Sequence, residues 1–186
     1  MTRIKNSVWL LSGLLGALLL TGCIVVGTFV IDYKVDSNLI EQTSDGIYFF
    51  NVDLTTEEDW QDHQDKIKDI DNVGFLLKVT NLEDADVGIE MYITQGLTED
   101  FQTLYDNLDD IRSNTTQVVR NLVIKGPSGT ETTIDWPTSL SKVTNIATLK
   151  KYAESGKFGL YVVASEPDLK FNIDFAVVIV TLTAGN

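Results

Sequence analysis

The sequence of 186 residues contains one cysteine, Cys23, and one histidine, His63. A single cysteine excludes a disulfide within the chain, so the fold must be stabilised by its hydrophobic core. A single histidine leaves no Cys/His pair for nucleophilic catalysis and no histidine-rich zinc site. His63 falls between Trp60 and Ile67 on a predicted first helix, where we expect an imidazole packed at the core boundary.

Basic residues are also scarce, with 14 Lys and Arg against 27 Asp and Glu. Phosphate contacts require clustered basic side chains, so nucleic-acid binding is a poor hypothesis. Residues 53–111 hold 17 of the acids and only three lysines, a net charge of −14. We expect this charge on the first two helices and the hairpin between them, where it favours cations or a basic partner. A merely solvated acidic surface is the alternative.

Charged residues are absent between Lys5 and Asp32. Arg3 and Lys5 precede an apolar stretch over residues 8–20, which is shorter than the roughly 20 residues needed to span a bilayer. The whole uncharged run over residues 8–31 could span one as a helix. Its composition changes at Cys23, because leucine dominates before the cysteine and β-branched residues suited to a strand follow it.

Residues Leu20-Thr21-Gly22-Cys23 resemble the lipobox of bacterial lipoproteins, and the resemblance covers only the first 23 residues. It implies a diacylglycerol on the Cys23 thiol, cleavage after Gly22 and acylation of the new amino group. Residues 1–22 are then a signal peptide, and residues 23–186 form one domain of net charge −15, with 12 basic and 27 acidic residues. Ile24 favours the outer membrane if the cell has two.

The remaining chain is rich in short β-type segments separated by turn residues. Strands are predicted over residues 24–35, 46–54, 73–82, 87–94, 117–125, 130–136, 157–164 and 171–183. Alternation is clear at Phe171, Ile173 and Phe175, which we expect on one face. The number and spacing of the strands predict a single antiparallel β-sandwich of immunoglobulin-like architecture, with about three short amphipathic helices in its connections.

The first predicted helix starts at Thr55, whose spacing to Glu58 is that of a capping box. Its apolar stripe would comprise Trp60, Ile67 and Ile70.

Two further helices are predicted from the helical spacing of their apolar residues, and acidic residues at its start also favour the second. The second begins at Thr98 and has an apolar stripe made of Phe101, Leu104, Tyr105, Leu108 and Ile111. The third covers residues 145–155 and ends at Gly156. All three helices are expected to close the sandwich.

The candidate sites are weakly defined. A calcium loop starting at Asp69 fails because Thr80 stands where a glutamate is needed. Asp84 and Asp86 remain candidates for a loop cation site, although a charged hairpin turn predicts the same residues. Residues 126–130 are interpreted as a turn because a phosphate loop would need a lysine. The candidate partner face on the second helix comprises Glu99, Asp100, Asp106, Asp109 and Asp110.

These patterns predict a lipid-anchored, non-catalytic binding or scaffold module of the bacterial cell envelope. The lipid on Cys23 would hold it to the membrane, and no cofactor is expected apart from possible calcium. Two alternatives stay open: an envelope hydrolase that uses paired carboxylates, and a calcium-dependent adhesion module. The partner would be a basic envelope protein or a cation.

Overall fold

A computed structural model describes residues 26–95 and 104–185. Cys23 and the predicted signal peptide lie outside the described residues, as do Glu99, Asp100 and Phe101. Nine strands are described: β1 Val26–Lys34, β2 Glu41–Ser44, β3 Ile47–Asp53, β4 Ile67–Asn81, β5 Val87–Gln95, β6 Thr116–Ile124, β7 Glu131–Ile134, β8 Lys157–Ala164 and β9 Phe171–Gly185. The described helices are α1 Glu58–His63, α2 Leu108–Asn114, α3 Trp136–Lys142 and α4 Ile146–Glu154.

The strands form two antiparallel sheets, which confirms the predicted sandwich. The four-stranded sheet has the order β1-β9-β4-β7, and the five-stranded sheet has the order β2-β3-β8-β5-β6. Every predicted strand has its counterpart, but β2 and α3 were missed. β2 has four residues and an exposed, polar sequence, so it lacks the apolar signal of a strand. None of the helices in the described ranges is long and apolar enough to cross a membrane.

The main core lies between the two sheets. Its largest fully buried side chains include Phe50, Phe158 and Phe171, together with Ile31 and Leu77. Burial of each such side chain contributes about 1.5–3 kcal/mol. Because the chain has a single cysteine, this packing has to stabilise the fold without an internal disulfide.

A second apolar cluster covers the outer face of the five-stranded sheet. Its buried members are Ile47, Phe49, Tyr92, Leu108, Ile111, Tyr161 and Val163. The β3 and β8 residues of this set alternate with main-core residues, so both faces of these central strands are buried. Helix α2 covers this cluster, because its Leu108 and Ile111 pack onto the sheet.

The prediction of the first helix is wrong after His63. Helix α1 ends at His63, and Ile67 and Ile70 lie on β4. The pairing of β4 with β9 shifts register after Ile67 and again after Ile70, as β-bulges do. Each bulge adds a residue, so the inward positions Ile67, Ile70 and Val73 are spaced by three. A bulged strand therefore imitated the apolar period of a helix.

The predicted capping box is also wrong. Thr55 lies in a short 3-10 turn, Leu54–Thr56, and Glu57 precedes α1 without capping it through its side chain. The carboxylate of Asp53 accepts a hydrogen bond from the Thr55 N–H instead.

The acidic residues of the segment 53–111 lie only partly on helices, because Asp69 and Asp71 belong to β4.

The alternation predicted near the start of β9 breaks at Phe175. Phe171 and Ile173 face the core, but Phe175 is 39% exposed. Lys78 pairs with Phe175 while Val79 pairs with Ile173, so Asp174 is an extra residue in a bulge. The bulge turns Phe175 to the outer face of the four-stranded sheet.

The second and third helices agree with their patterns in part. Helix α2 begins only at Leu108, capped by Asn107, whereas Leu104 and Tyr105 lie in a non-helical segment packed on the second cluster. Helix α4 matches the third prediction closely, and Gly156 follows it with a positive φ of 76°. The turn predicted over residues 126–130 is confirmed between β6 and β7.

Pairing defines two ends of the sandwich. Val26 pairs with Gly185, and β4 begins beside them, since its Ile67 pairs with Ala184. We call this the anchor end, after the lipid anchor that the sequence predicts at Cys23, three residues before Val26. Phe171, the first residue of β9, pairs with Asn81 at the other end, called here the distal end.

Candidate functional site

An open acidic cleft of about 230 Å³ lies at the distal end. Three chain segments form it: the β2–β3 turn, the start of α2 and the β8–β9 connection. Its acidic lining residues are Asp45, Asp106, Asp109, Glu166 and Asp168, and Arg112 is its basic lining residue. We refer to this set as the distal acidic cleft.

The backbone of the cleft is fixed by local conformation. Gly46 in the β2–β3 turn has a φ of +68° and lies so close to the Leu169 carbonyl that a Cβ would be 2.2 Å from its oxygen. Only glycine fits there without displacing the β8–β9 connection. On the opposite side, the Asn107 side chain accepts a hydrogen bond from the Asp110 N–H at 2.8 Å and so fixes the start of α2.

Arg112 joins the cleft to the outer face of the sheet. Its guanidinium lies 3.0 Å from Glu90 Oε2 and donates to the Tyr92 hydroxyl at 3.3 Å and the Ser165 carbonyl at 3.2 Å. The bonds with Tyr92 and Glu90 raise the pKa of Arg112. Burial, followed by the bond to Glu90, raises the pKa of Tyr92. Arg112 is therefore charged and already ion-paired with Glu90.

The cleft keeps a negative surplus. Asp45 pairs with Lys170 at 3.1 Å. Within residues 26–95 and 104–185, no ion pair involves the four other acidic lining residues, Asp106, Asp109, Glu166 and Asp168. These four carboxylates line one concave surface and outnumber Arg112, which is paired with Glu90, so the cleft attracts positive charge.

The predicted partner face is only partly assembled. Asp106 and Asp109 line the distal acidic cleft. Asp110 instead accepts a hydrogen bond from the Asn107 side chain at 2.5 Å, which engages it in the start of α2. Glu99 and Asp100 lie outside the described residues.

Sequence reasoning missed Asp45, Glu166 and Asp168. They lie on two connections that are about 120 residues apart in the chain, and no local pattern marks them. Their convergence depends on β3 pairing with β8, which brings the two connections to the same end of the sheet.

The weak cation candidates Asp84 and Asp86 do not form a ligand set. Asp86 pairs with Lys125 at 2.6 Å and accepts from the Gly126 N–H at 3.0 Å. These contacts, the one with Lys125 first, lower the pKa of Asp86. Across the described ranges, no three His, Cys, Asp or Glu side chains are grouped closely enough to hold a metal ion.

His63 is packed at the core boundary, as predicted. Its ring centroid lies 3.8 Å from that of Phe29, and its Nδ1 lies 2.8 Å from the Asp59 carbonyl oxygen. The imidazole is half-buried at the anchor end, remote from the distal acidic cleft.

Comparisons with known proteins add little to this geometry. No family model matches the chain, and no curated protein matches it. Among solved structures, the chain is similar to one of Desmodium yellow mottle tymovirus, at 6% identity and a TM-score of 0.36, over 90% of this chain and 91% of the viral one. It is also similar to dimeric latent PorU from Porphyromonas gingivalis, at 10% identity and a TM-score of 0.29, over 87% of this chain and 13% of PorU. TM-scores this low carry no argument about function.

Proposed function

We propose that this protein is a lipid-anchored, non-catalytic binding module of the bacterial cell envelope. The observation that carries the proposal is the location of the distal acidic cleft, at the end of the sandwich opposite Val26. A binding surface on an anchored protein is most accessible when it points away from the bilayer.

The anchor geometry follows from the chain. Cys23 precedes Val26 by three residues, which reach at most about 11 Å when extended. Strand β9 has 15 residues and runs from the distal end to the anchor end. At about 3.3 Å per residue it spans roughly 45 Å, so a lipid on Cys23 would hold the cleft tens of ångströms from the membrane.

The charge of the cleft selects the partner. In the described part of the chain, four carboxylates of the cleft have no ion-pair partner, and they favour lysine or arginine side chains, which form charge-assisted hydrogen bonds with them. A net charge of −15 on residues 23–186 also accelerates the approach of a basic protein at low salt. The partner proposed here is a basic envelope protein.

Hydrolysis by paired carboxylates is less well supported. Such an enzyme needs a carboxylic acid whose pKa is raised, so that it can donate a proton near neutral pH. The pKa values of Asp53, Asp86 and Asp135 are instead lowered. These three side chains are held as carboxylates and do not suit the acid role.

Cys23→Ala tests the lipid anchor. We expect the variant to be neither processed nor labelled by fatty acid, whereas the unchanged protein is shortened, labelled and found in the membrane fraction. Electrophoretic mobility, fatty-acid labelling and fractionation report these properties. A Cys23→Ala chain still found entirely in the membrane fraction at the shortened length would contradict the proposal.

Charge reversal tests the cleft. We expect Asp109→Lys with Glu166→Lys to abolish crosslinking to a basic envelope protein from a photoreactive residue at Asp168. The matched control, Asp59→Lys with Asp65→Lys, makes the same change in net charge on exposed positions outside the cleft. Equal loss in both double variants would show that only the overall field matters and that the cleft is not the docking site.

A further inference from the structure

Strand β1 is a free edge of the four-stranded sheet. Among the nine described strands it pairs only with β9, through nine residues from Val26 to Lys34. The Val35 N–H donates to the Ala176 carbonyl, so the odd residues of β1 face β9 and the even residues direct their N–H and C=O groups outward. Among the described residues, no hydrogen bond reaches the backbone of Thr28, Val30 or Asp32. Their side chains are exposed as well.

The edge at β6 is covered. Val119 forms a bridge with Val143, and the Thr144 N–H donates to the Val118 carbonyl at 2.7 Å. The Asn145 side chain donates to the Gln117 carbonyl, also at 2.7 Å. The connection between α3 and α4 therefore occupies much of this edge.

The edges at β7 and β2 are short. Each strand has four residues. Beyond β7, the Phe75 N–H of β4 donates to the Ser139 hydroxyl of α3 at 3.1 Å. On β2, the Thr43 hydroxyl donates to the Tyr105 carbonyl at 3.1 Å. Sheet edges in proteins are normally covered or shortened in these ways, because an open edge pairs with other strands. Strand β1 is long and, in the part of the chain that the structure describes, its edge is not hydrogen-bonded to another segment.

The surroundings of β1 favour an amphipathic, basic strand. On the outer face, Val30 is 52% exposed and offers an apolar contact. Tyr33 packs against the main core, and burial, followed by the negative charges of Asp53, Glu57 and Asp36, raises its pKa. Asp53 is paired with Lys157 at 2.8 Å. In the described ranges no ion pair involves Asp32, Asp36 or Glu57, and these three acids outnumber Lys34, the exposed cation of β1.

We propose that the β1 edge is a docking site for an extended segment of a basic protein, which adds to the four-stranded sheet as a further strand. Backbone hydrogen bonds to Thr28, Val30 and Asp32 supply the pairing. Apolar residues of the segment contact Val30 on the outer face. Its lysine or arginine residues alternate with the apolar ones and approach Glu57 and Asp36 near Tyr33.

A second copy of this chain fits the edge less well. Antiparallel pairing of two β1 strands would direct the two Val26 ends in opposite directions. Two lipids on Cys23 could then not enter the same bilayer, a step that rests on the proposed lipid anchor. Two chains that each carry about −15 would also repel one another.

The test uses the full lipidated chain in nonionic detergent and a nine-residue peptide that alternates valine with lysine, with blocked ends. We expect the peptide to bind, measured by fluorescence anisotropy, and to slow amide exchange at Thr28, Val30 and Asp32 by at least about tenfold. A control peptide with proline in place of valine keeps the charge but cannot form a ladder, and we expect at least about tenfold weaker binding from it.

Val30→Pro removes one outward N–H at an edge position where proline is tolerated. We expect it to weaken peptide binding by about tenfold or more with little change in Tm, while Val30→Thr retains most of the binding. Equal binding of the two peptides, unchanged binding to Val30→Pro, no binding, or amide protection elsewhere would overturn the proposal. Self-association through β1, detected by ultracentrifugation, would also overturn it. None of these results depends on the distal acidic cleft. The charge-reversal variants test the cleft in a separate crosslinking experiment, so the two proposals can be contradicted independently.

Discussion

At the residue scale, Asp53 illustrates how one carboxylate connects several elements. It accepts hydrogen bonds from the N–H and hydroxyl groups of Thr55, and its other oxygen lies 2.8 Å from Lys157 Nζ. Burial alone would raise the pKa of Asp53, but the contacts with Lys157 and Thr55 outweigh it and lower that pKa. The end of β3, the following 3-10 turn and the start of β8 are thereby held together.

Asp53→Asn should lower the free energy of unfolding by about 1 kcal/mol or less at pH 7, because Lys157 is half-exposed and its attraction is screened. A carboxylate whose pKa is lowered in the folded state stabilises the fold at pH values above its unfolded pKa of about 3.9. This stabilisation is lost as the pH falls through the folded pKa. The difference between variant and parent should therefore shrink below about pH 4. Urea unfolding across this pH range measures it.

The matched control is Asp86→Asn, which removes a pair exposed on both sides, with 65% of Lys125 and 49% of Asp86 accessible. We expect a smaller loss there than at Asp53. A larger loss at Asp86, or an Asp53→Asn effect that is independent of pH, would show that the ion pair at Asp53 is not the cause.

Gly156→Ala should destabilise the protein by about 2–4 kcal/mol, because it combines left-handed backbone strain with overpacking. Its φ is +76°, and a Cβ would lie 2.8 Å from Thr55 Cγ2 and 3.1 Å from Trp60 Cζ2. The control Gly129→Ala has a φ of +84° but meets nothing within 4 Å, so only about 1 kcal/mol of strain is expected. Equal losses in thermal unfolding would contradict the packing argument.

At the element scale, strand β8 was predicted to the residue because its eight residues are almost uniformly apolar or aromatic. The start of β4 was not, since its bulges give a strand the apolar spacing of a helix. Helix α3 was also missed. Asp135 caps it and Pro137 stands in its first turn, but Trp136 continues the β-type composition of β7. Local patterns reveal regular elements, whereas bulges and the convergence of distant loops depend on tertiary pairing.

Helix α2 has seven residues, which is too short to be stable on its own. Its position depends on Ile111, fully buried against the outer face of the five-stranded sheet. We expect Ile111→Ala to remove about 2–4 kcal/mol of packing and to release the helix locally. Amide exchange should accelerate throughout α2 and much less in the strands of the main core.

Ser113→Ala is the control for this prediction, because Ser113 is exposed on the same helix. It should leave the exchange of α2 nearly unchanged. If Ile111→Ala instead accelerates exchange equally in both sheets, the second cluster and the main core unfold as one cooperative unit.

At the scale of the whole molecule, the net charge of −13 on the full sequence makes the fold sensitive to ionic strength. Sodium chloride screens the repulsion among acids, so Tm should rise as salt increases from about 10 mM to 0.5 M. Calcium at matched ionic strength should give a similar rise if it acts only as a screening ion. A much larger, chelator-sensitive rise would favour the calcium-dependent alternative.

The arrangement of anchor and cleft can be measured directly in vesicles. With Cys23 acylated, a cysteine introduced by substitution at exposed Gln64 or at Asp168 gives a single site for a fluorescent donor. Gln64 lies three residues before β4 begins at the anchor end, and Asp168 lines the distal acidic cleft. A strand span of roughly 45 Å predicts efficient energy transfer from Gln64 to acceptor lipids and weak transfer from Asp168. Equal transfer would mean that the sandwich lies along the bilayer, with the cleft beside the membrane surface instead of facing a partner beyond it.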